Sequence, residues 1–187
     1  MVAVRIADSP PALLLTLIVG PSVETKEVGE TKKEIAERYF VRKRWWTRLI
    51  ESSAAVNKTH VHITPSEHGW IAASAGVRGL SFYYGVMQAE CRVELYIDRR
   101  KDSDKENKQI FDELYGNRQQ IEQRFGGPLV WERLEGRRAC RVSYTRQEGG
   151  YRSPEEQWPQ IQDKTIHDMD RFVKTLQPYV HSPSIAS

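Results

Sequence analysis

The chain is short of several things, and each shortage excludes a class of protein. It has two cysteines in 187 residues. Both, Cys91 and Cys140, sit in strand-like runs in phase with apolar neighbours. A disulfide-built scaffold needs more cysteines in a shorter chain. The pair therefore reads as buried free thiols in a reducing, cytoplasmic setting. No apolar run reaches bilayer length. The longest, residues 12–20, follows Asp8 and the Pro10-Pro11 pair rather than the basic start of a signal peptide, so no membrane association is expected. There is no glycine-rich phosphate loop and no serine in a strand-turn-helix elbow. There are no internal repeats. Net charge is only +3, which permits a nucleic-acid partner without requiring one.

A hydrophobic fraction of 39% and five tryptophans supply enough apolar surface for one folded core. Residues 1–30 differ from the rest. They read as an apolar arm, extended over 12–19, followed by a linker-like stretch of turn formers and charges. Such an arm requires a partner and is a candidate homo-oligomer contact. Residues 31–180 read as a single domain, and 181–187 as a frayed tail.

Within that domain a first helix is expected over about 31–53. Ile35, Tyr39, Trp46, Leu49 and Ile50 share one side at helical spacing. Arg44 and Arg48 lie opposite, and Arg38 and Arg42 flank the stripe. Trp45 is out of phase with it, which predicts an outward tryptophan beside arginines. A strand-rich middle follows. THVHIT alternates, with His60 and His62 on a solvated face. LSFYYGVM and ECRVELYID alternate more cleanly, with Cys91, Val93, Leu95 and Ile97 inward and Arg92, Glu94 and Tyr96 outward. A second helix spans about 103–125 on Ile110, Phe111, Leu114, Ile121 and Phe125. Gly116 within it costs about 1 kcal/mol relative to alanine. A hairpin about Glu135-Gly136 precedes a last helix from Trp158, whose inner stripe is Ile161, Thr165, Met169, Phe172 and Leu176. The resulting fold class is α+β: a mostly antiparallel sheet of about five or six strands with three helices packed on it, in the order α-β-β-β-β-α-β-β-α.

Candidate chemistry is sparse. A divalent-metal nuclease of the PD-(D/E)XK type requires an acid on one strand and Glu-x-Lys on the next, to hold Mg²⁺ and activate water. Asp98 and Glu106-Asn107-Lys108 match literally, but Glu106 and Lys108 fall in the first turns of a helix, where capping and dipole compensation explain them. The loop acids Asp98, Asp102, Asp104 and Glu106 lack the glycine and distal glutamate of a calcium loop, and three basic residues, 99–101, would oppose a cation. His60, His62 and His68 have no cysteine or acidic partner at ligand spacing. His167 and His181 read as solvated. No metal site and no cofactor are expected. The basic features carry more. RKRWWTR, residues 42–48, combines four cations with two tryptophans, and Arg137, Arg138 and Arg141 cluster in the late hairpin. Such residues gain affinity for nucleic acid by displacing counterions from phosphate, and Trp45 is placed to stack a base. Acidic neighbours such as Glu37, Glu51 and Glu132 give the plainer alternative of a charged, solvated surface.

Residues 39–179 resemble the bacterial and archaeal domain-of-unknown-function family numbered 4268. The resemblance is carried by Glu94-Leu95-Tyr96-Ile97, Asn107-Lys108, Phe111, Leu114, Ile121-Glu122, Phe125-Gly126, Leu129-x-Trp131, Arg141 and Trp158. Family members often carry a PD-(D/E)XK endonuclease-like domain ahead of this module, and residues 5–12 look like the junction where that domain ends. The resemblance thus implies that residues 1–30 are the remnant of a preceding domain. It further implies a non-catalytic accessory module of a nuclease- or restriction-like system, contacting DNA or docking an endonuclease domain or subunit. The contact residues would be Arg38, Arg42, Arg44, Trp45, Arg48, Arg137, Arg138 and Arg141. The alternatives are a metal-dependent nuclease using Asp98, Glu106 and Lys108, and an oligomerisation module.

Overall fold

A computed structural model describes residues 2–4, 12–14, 23–100 and 102–186. The chain divides into two compact units, Met1–Glu37 and Arg38–Ser187. The first contains an antiparallel pair, β1 (Val2–Val4) and β2 (Ala12–Leu14), in the register Val2↔Leu14. Residues 15–19 of the apolar arm, and with them most of the segment assigned to an oligomer contact, lie outside the described residues.

Helix α1 runs from Val23 to Ser53. It therefore begins before the expected position, and the stretch read as a linker is helical from Val23. That stretch is rich in Glu and Lys, both strong helix formers, and a single Gly29 does not outweigh them.

In the second unit, strands β3 (Trp70–Ser74), β4 (Leu80–Val86), β5 (Cys91–Ile97), β6 (Val130–Glu132) and β7 (Cys140–Arg146) form a five-stranded antiparallel sheet of order β3-β4-β5-β7-β6. Alternation places Leu80, Phe82, Tyr84 and Val86 of β4 and Cys91, Val93, Leu95 and Ile97 of β5 on one buried face, as the period of two requires. Helix α4 (Trp158–Val180) buries Ile161, Thr165, Met169, Phe172 and Leu176. Phe172 meets Phe82 of the sheet edge-on at 6.2 Å. The fold is α+β, as expected, with five strands in this sheet.

Three local departures have physical causes. THVHIT is a turn-rich loop rather than a strand. His60 in it is fully buried, with Nε2 3.0 Å from the Phe82 carbonyl and its ring 4.6 Å from that of Tyr84. The expected second helix is two, α2 (Asp104–Gly116) and α3 (Arg118–Phe125). They break at Gly116-Asn117, where the Asn117 amide bonds back to Leu114 O at 3.0 Å and its side chain donates to Glu113 O. The glycine read as a cost inside one helix thus marks the end of another. Residues 181–186 are not frayed. A short helix α5 (Pro183–Ala186) buries Ile185, whose carbonyl accepts from the Arg99 guanidinium, and Ser182 and Ser184 both donate to Glu113. His181, read as solvated, is exposed, and its Nε2 lies 3.0 Å from Ala75 O.

Candidate functional site

The outward stripe of α1 recurs at residues 40, 43, 44, 47, 48 and 51, the spacing of one helical face. Phe40 there is 63% exposed. Opposite the stripe stand a 3₁₀ turn (Glu155–Gln157) and the start of α4. Between them lies an open groove of about 680 Å³ lined by Phe40, Lys43, Arg44, Thr47, Arg48, Glu51, Glu155 and Trp158. Its wall is fixed: Trp158 is buried, donates Nε1 to Ser153 O at 2.9 Å, and meets the Trp45 ring edge-on at 5.0 Å. Arg44 is ion-paired to Glu155, and its guanidinium lies 5.7 Å from the Phe40 ring centre and 5.9 Å from that of Trp158. Among the described residues, no carboxylate lies within ion-pair distance of Lys43 or Arg48. The groove therefore joins an apolar floor to cations of which two are uncommitted, an arrangement suited to an anionic partner.

The other arginine candidates have different surroundings. Arg42 is half-buried, stacked 4.8 Å over Tyr151, so it packs the interior side of α1. Arg38 is half-buried beside Tyr39. Arg137 is exposed near the hairpin tip. Arg138 grips Asp98 with two bonds of 2.7 and 2.6 Å. Arg141 grips Glu132 at 2.6 and 2.9 Å and stands 3.7 Å from Glu94.

Trp45 is a correction. It has no exposed surface and cannot stack a base from outside. Trp45, Trp46, Leu49 and Ile50 are all buried, so the apolar arc is wider than one stripe. It is that wide because α1 is covered on two sides: Gln162 of α4 donates to Trp45 O at 2.9 Å, and Trp46 Nε1 donates to His68 O at 2.8 Å. Val41, one turn before Trp45, also packs against the core, and Tyr39, expected on the inner stripe, is 37% exposed.

The three nuclease-like residues hold separate parts of the scaffold. Asp98 accepts from Arg138 and from the Arg100 amide at 2.8 Å; the Arg138 bond, ahead of the backbone bond, holds its carboxyl below the ordinary range. Glu106 pairs with Arg99. Lys108 Nζ reaches the carbonyls of Arg133, Leu134 (3.1 Å) and Ala139 (3.4 Å) and lies 3.4 Å from Cys140 Sγ. It thereby closes the β6–β7 hairpin, where Leu134 takes a left-handed φ of 53°. Buried Asn107 joins the two regions, accepting from the Arg99 amide at 2.9 Å and donating to Arg138 O at 3.3 Å. Among the described residues no group of three His, Cys, Asp or Glu side chains is arranged to hold an ion. Cys91 and Cys140 are free and buried, and burial pushes the Cys91 thiol up to about 11.

Sequence reasoning missed Phe40, Lys43, Glu155 and Trp158 as one surface. The period that placed Arg44 and Arg48 outward also places Phe40 and Lys43 there, so half of the groove was readable. Glu155 stands 111 residues from Arg44, and no local pattern brings it there.

The fold and groove define an α+β module with a helix-covered antiparallel sheet and a basic helix face. The family model of the domain of unknown function DUF4268 matches residues 41–180. The chain belongs to that family. No curated protein and no solved structure matches it. Among the described residues, no helix is long and apolar enough to cross a membrane.

Proposed function

We infer that the chain is a non-catalytic accessory module that contacts nucleic acid, in keeping with its resemblance to modules that follow PD-(D/E)XK endonuclease-like domains. The observation that carries this reading is the outer face of α1, where Lys43 and Arg48 have no acidic partner among the described residues and Arg44 spans Phe40, Trp158 and Glu155. Cations not already held by carboxylates release counterions from phosphate most effectively. The non-catalytic part is supported by the separate structural roles of Asp98, Glu106 and Lys108.

Labelled duplex DNA titrated with the chain is expected to bind with an affinity that falls steeply as salt rises. Lys43→Ala with Arg48→Ala should weaken binding about tenfold and lower the salt slope by roughly 2, one for each phosphate no longer neutralised. Binding unchanged by that pair would remove the α1 surface from the proposal. Supercoiled plasmid with Mg²⁺ or Mn²⁺ is expected to stay intact. Nicking that Glu106→Gln abolishes would replace the accessory reading with a catalytic one. The exposure of Phe40 favours a second use of the same groove, docking of a nuclease domain or subunit, which Phe40→Ala should weaken while leaving duplex affinity within about twofold.

A further inference from the structure

The sheet face turned away from the helices carries a row of aromatic rings. Trp70, Tyr83 and Tyr96 project from the adjacent strands β3, β4 and β5. Ring centres are 5.3 Å apart from Trp70 to Tyr83 and 5.4 Å from Tyr83 to Tyr96. His68 extends the row, stacked 5.6 Å from Trp70. On one side of each ring the cross-strand partner is small: Gly85 opposes Trp70, Ala72 opposes Tyr83 and Ser81 opposes Tyr96, while Glu94 and Arg141 stand on the other side of Tyr83 and Tyr96. No neighbour of size caps the rings from the small side, and Trp70 is 50% exposed.

A recess of about 280 Å³ opens between these rings, with Gly85, Arg92 and Glu94 also lining it. Glu94 is 6% exposed. Arg92 Nε stands 2.9 Å from Glu94 Oε2, yet the two are not aligned, and each of these atoms lacks a hydrogen-bond partner among the described residues. A buried acceptor and a buried donor thus lie side by side in the lining of an aromatic recess, paired by charge but without an aligned hydrogen bond. Buried polar groups in that state call for a ligand or water. Arg141, 3.7 Å from Glu94 and shared with Glu132, adds a second cation beside the carboxylate. Two arginines at the carboxylate oppose an ammonium ligand. Aromatic faces with a neighbouring donor and acceptor suit a planar ring bearing the complementary edge.

We propose that this face is a stacking platform for single-stranded nucleic acid, with Trp70, Tyr83 and Tyr96 taking successive bases and the Glu94–Arg92 pair meeting a base edge. An open sheet with such a row engages bases that are already unstacked, because a duplex keeps its base faces to itself. The proposal rests on the nucleic-acid reading above but uses a different surface and a different strand state.

The two are separable by experiment. Short labelled single strands and the same sequence annealed as duplex are titrated against the full chain. Single strands should bind more tightly and quench tryptophan emission, a change largely lost in Trp70→Phe, since Trp45, Trp46 and Trp158 are buried and Trp131 is half-buried against Phe111 and Tyr115. Trp70→Ala with Tyr83→Ala should weaken single-strand binding by roughly tenfold or more, on the scale of base–aromatic stacking, and leave duplex affinity unchanged. Lys43→Ala with Arg48→Ala should do the reverse. Circular dichroism of each variant, and retained binding by Tyr83→Phe, separate contact from misfolding. Single-strand affinity unaltered in the folded Trp70/Tyr83 variant, or a preference for duplex or for neutral oligosaccharides, overturns the platform and leaves the α1 reading standing. Failure to bind either nucleic acid at low salt overturns both.

Discussion

Replacing Trp45 with alanine is expected to lower stability by about 3–5 kcal/mol, the range for deleting a buried tryptophan, and to reduce Tm by about 10 °C in a chain of this size. Trp45 has no exposed surface, meets Trp158 edge-on at 5.0 Å, and lies where Gln162 ties α4 to α1 through the Trp45 carbonyl. Truncation leaves a cavity beneath the groove that neighbouring side chains fill only in part. Trp45→Phe should cost markedly less. It keeps an aromatic ring near Trp158 and removes an indole N–H that has no partner among the described residues. Thermal unfolding of both variants checks the order. A Trp45→Ala protein as stable as the parent, but defective in nucleic-acid binding, would restore an outward role for this residue.

Acid should destabilise the protein through His60, beginning well above the range where carboxylates titrate. Burial, opposed by the Phe82 backbone hydrogen bond, lowers its pKa from 6.5 to about 4. The folded state therefore keeps this imidazole neutral where the unfolded chain already binds a proton. The sign follows: the unfolded state takes up more protons, so stability falls as pH drops through 6.5 and stops falling on this account below about 4. The full loss is about 3 kcal/mol, at 1.36 kcal/mol per pH unit. Nδ1 of His60 is buried without a hydrogen-bond partner among the described residues, so the N–H formed by a second proton has no acceptor among them. Denaturant unfolding between pH 7 and pH 4 should show the slope, and His60→Gln should flatten it. An unchanged slope in that variant would assign the acid sensitivity elsewhere.

His60 also shows where pattern reading stops. THVHIT has the alternation of a half-buried strand, and alternation predicts solvated histidines. The structure makes it a turn-rich loop, whose histidine fills a buried space beside Tyr84 and bonds the Phe82 carbonyl. The clean alternation of β5 and the stripe of α4 were legible because each face there meets a single environment. Trp45 was not, because a helix covered from two directions buries residues that a one-sided stripe leaves outside. Gly116 was visible as an anomaly, and the break between α2 and α3 explains it. The candidate site was half legible. Arg44 and Arg48 are outward as their spacing demands, whereas Arg138 and Arg141 are held by Asp98 and Glu132. Outward placement of Arg92, Glu94 and Tyr96 was readable from β5 alone, but not the row they join.

The amino-acid order by itself determined the α+β class, the inner faces of β4, β5 and α4, the free thiols and the position of the second helical region, since each depends on spacing within one element. Tertiary structure decided which faces are covered and which charges are neutralised. Those outcomes depend on residues far apart in the chain, 117 positions for Gln162 and Trp45 and 40 for Arg138 and Asp98. Local periodicity reports that a face is apolar or basic; only the packed chain decides what lies against it.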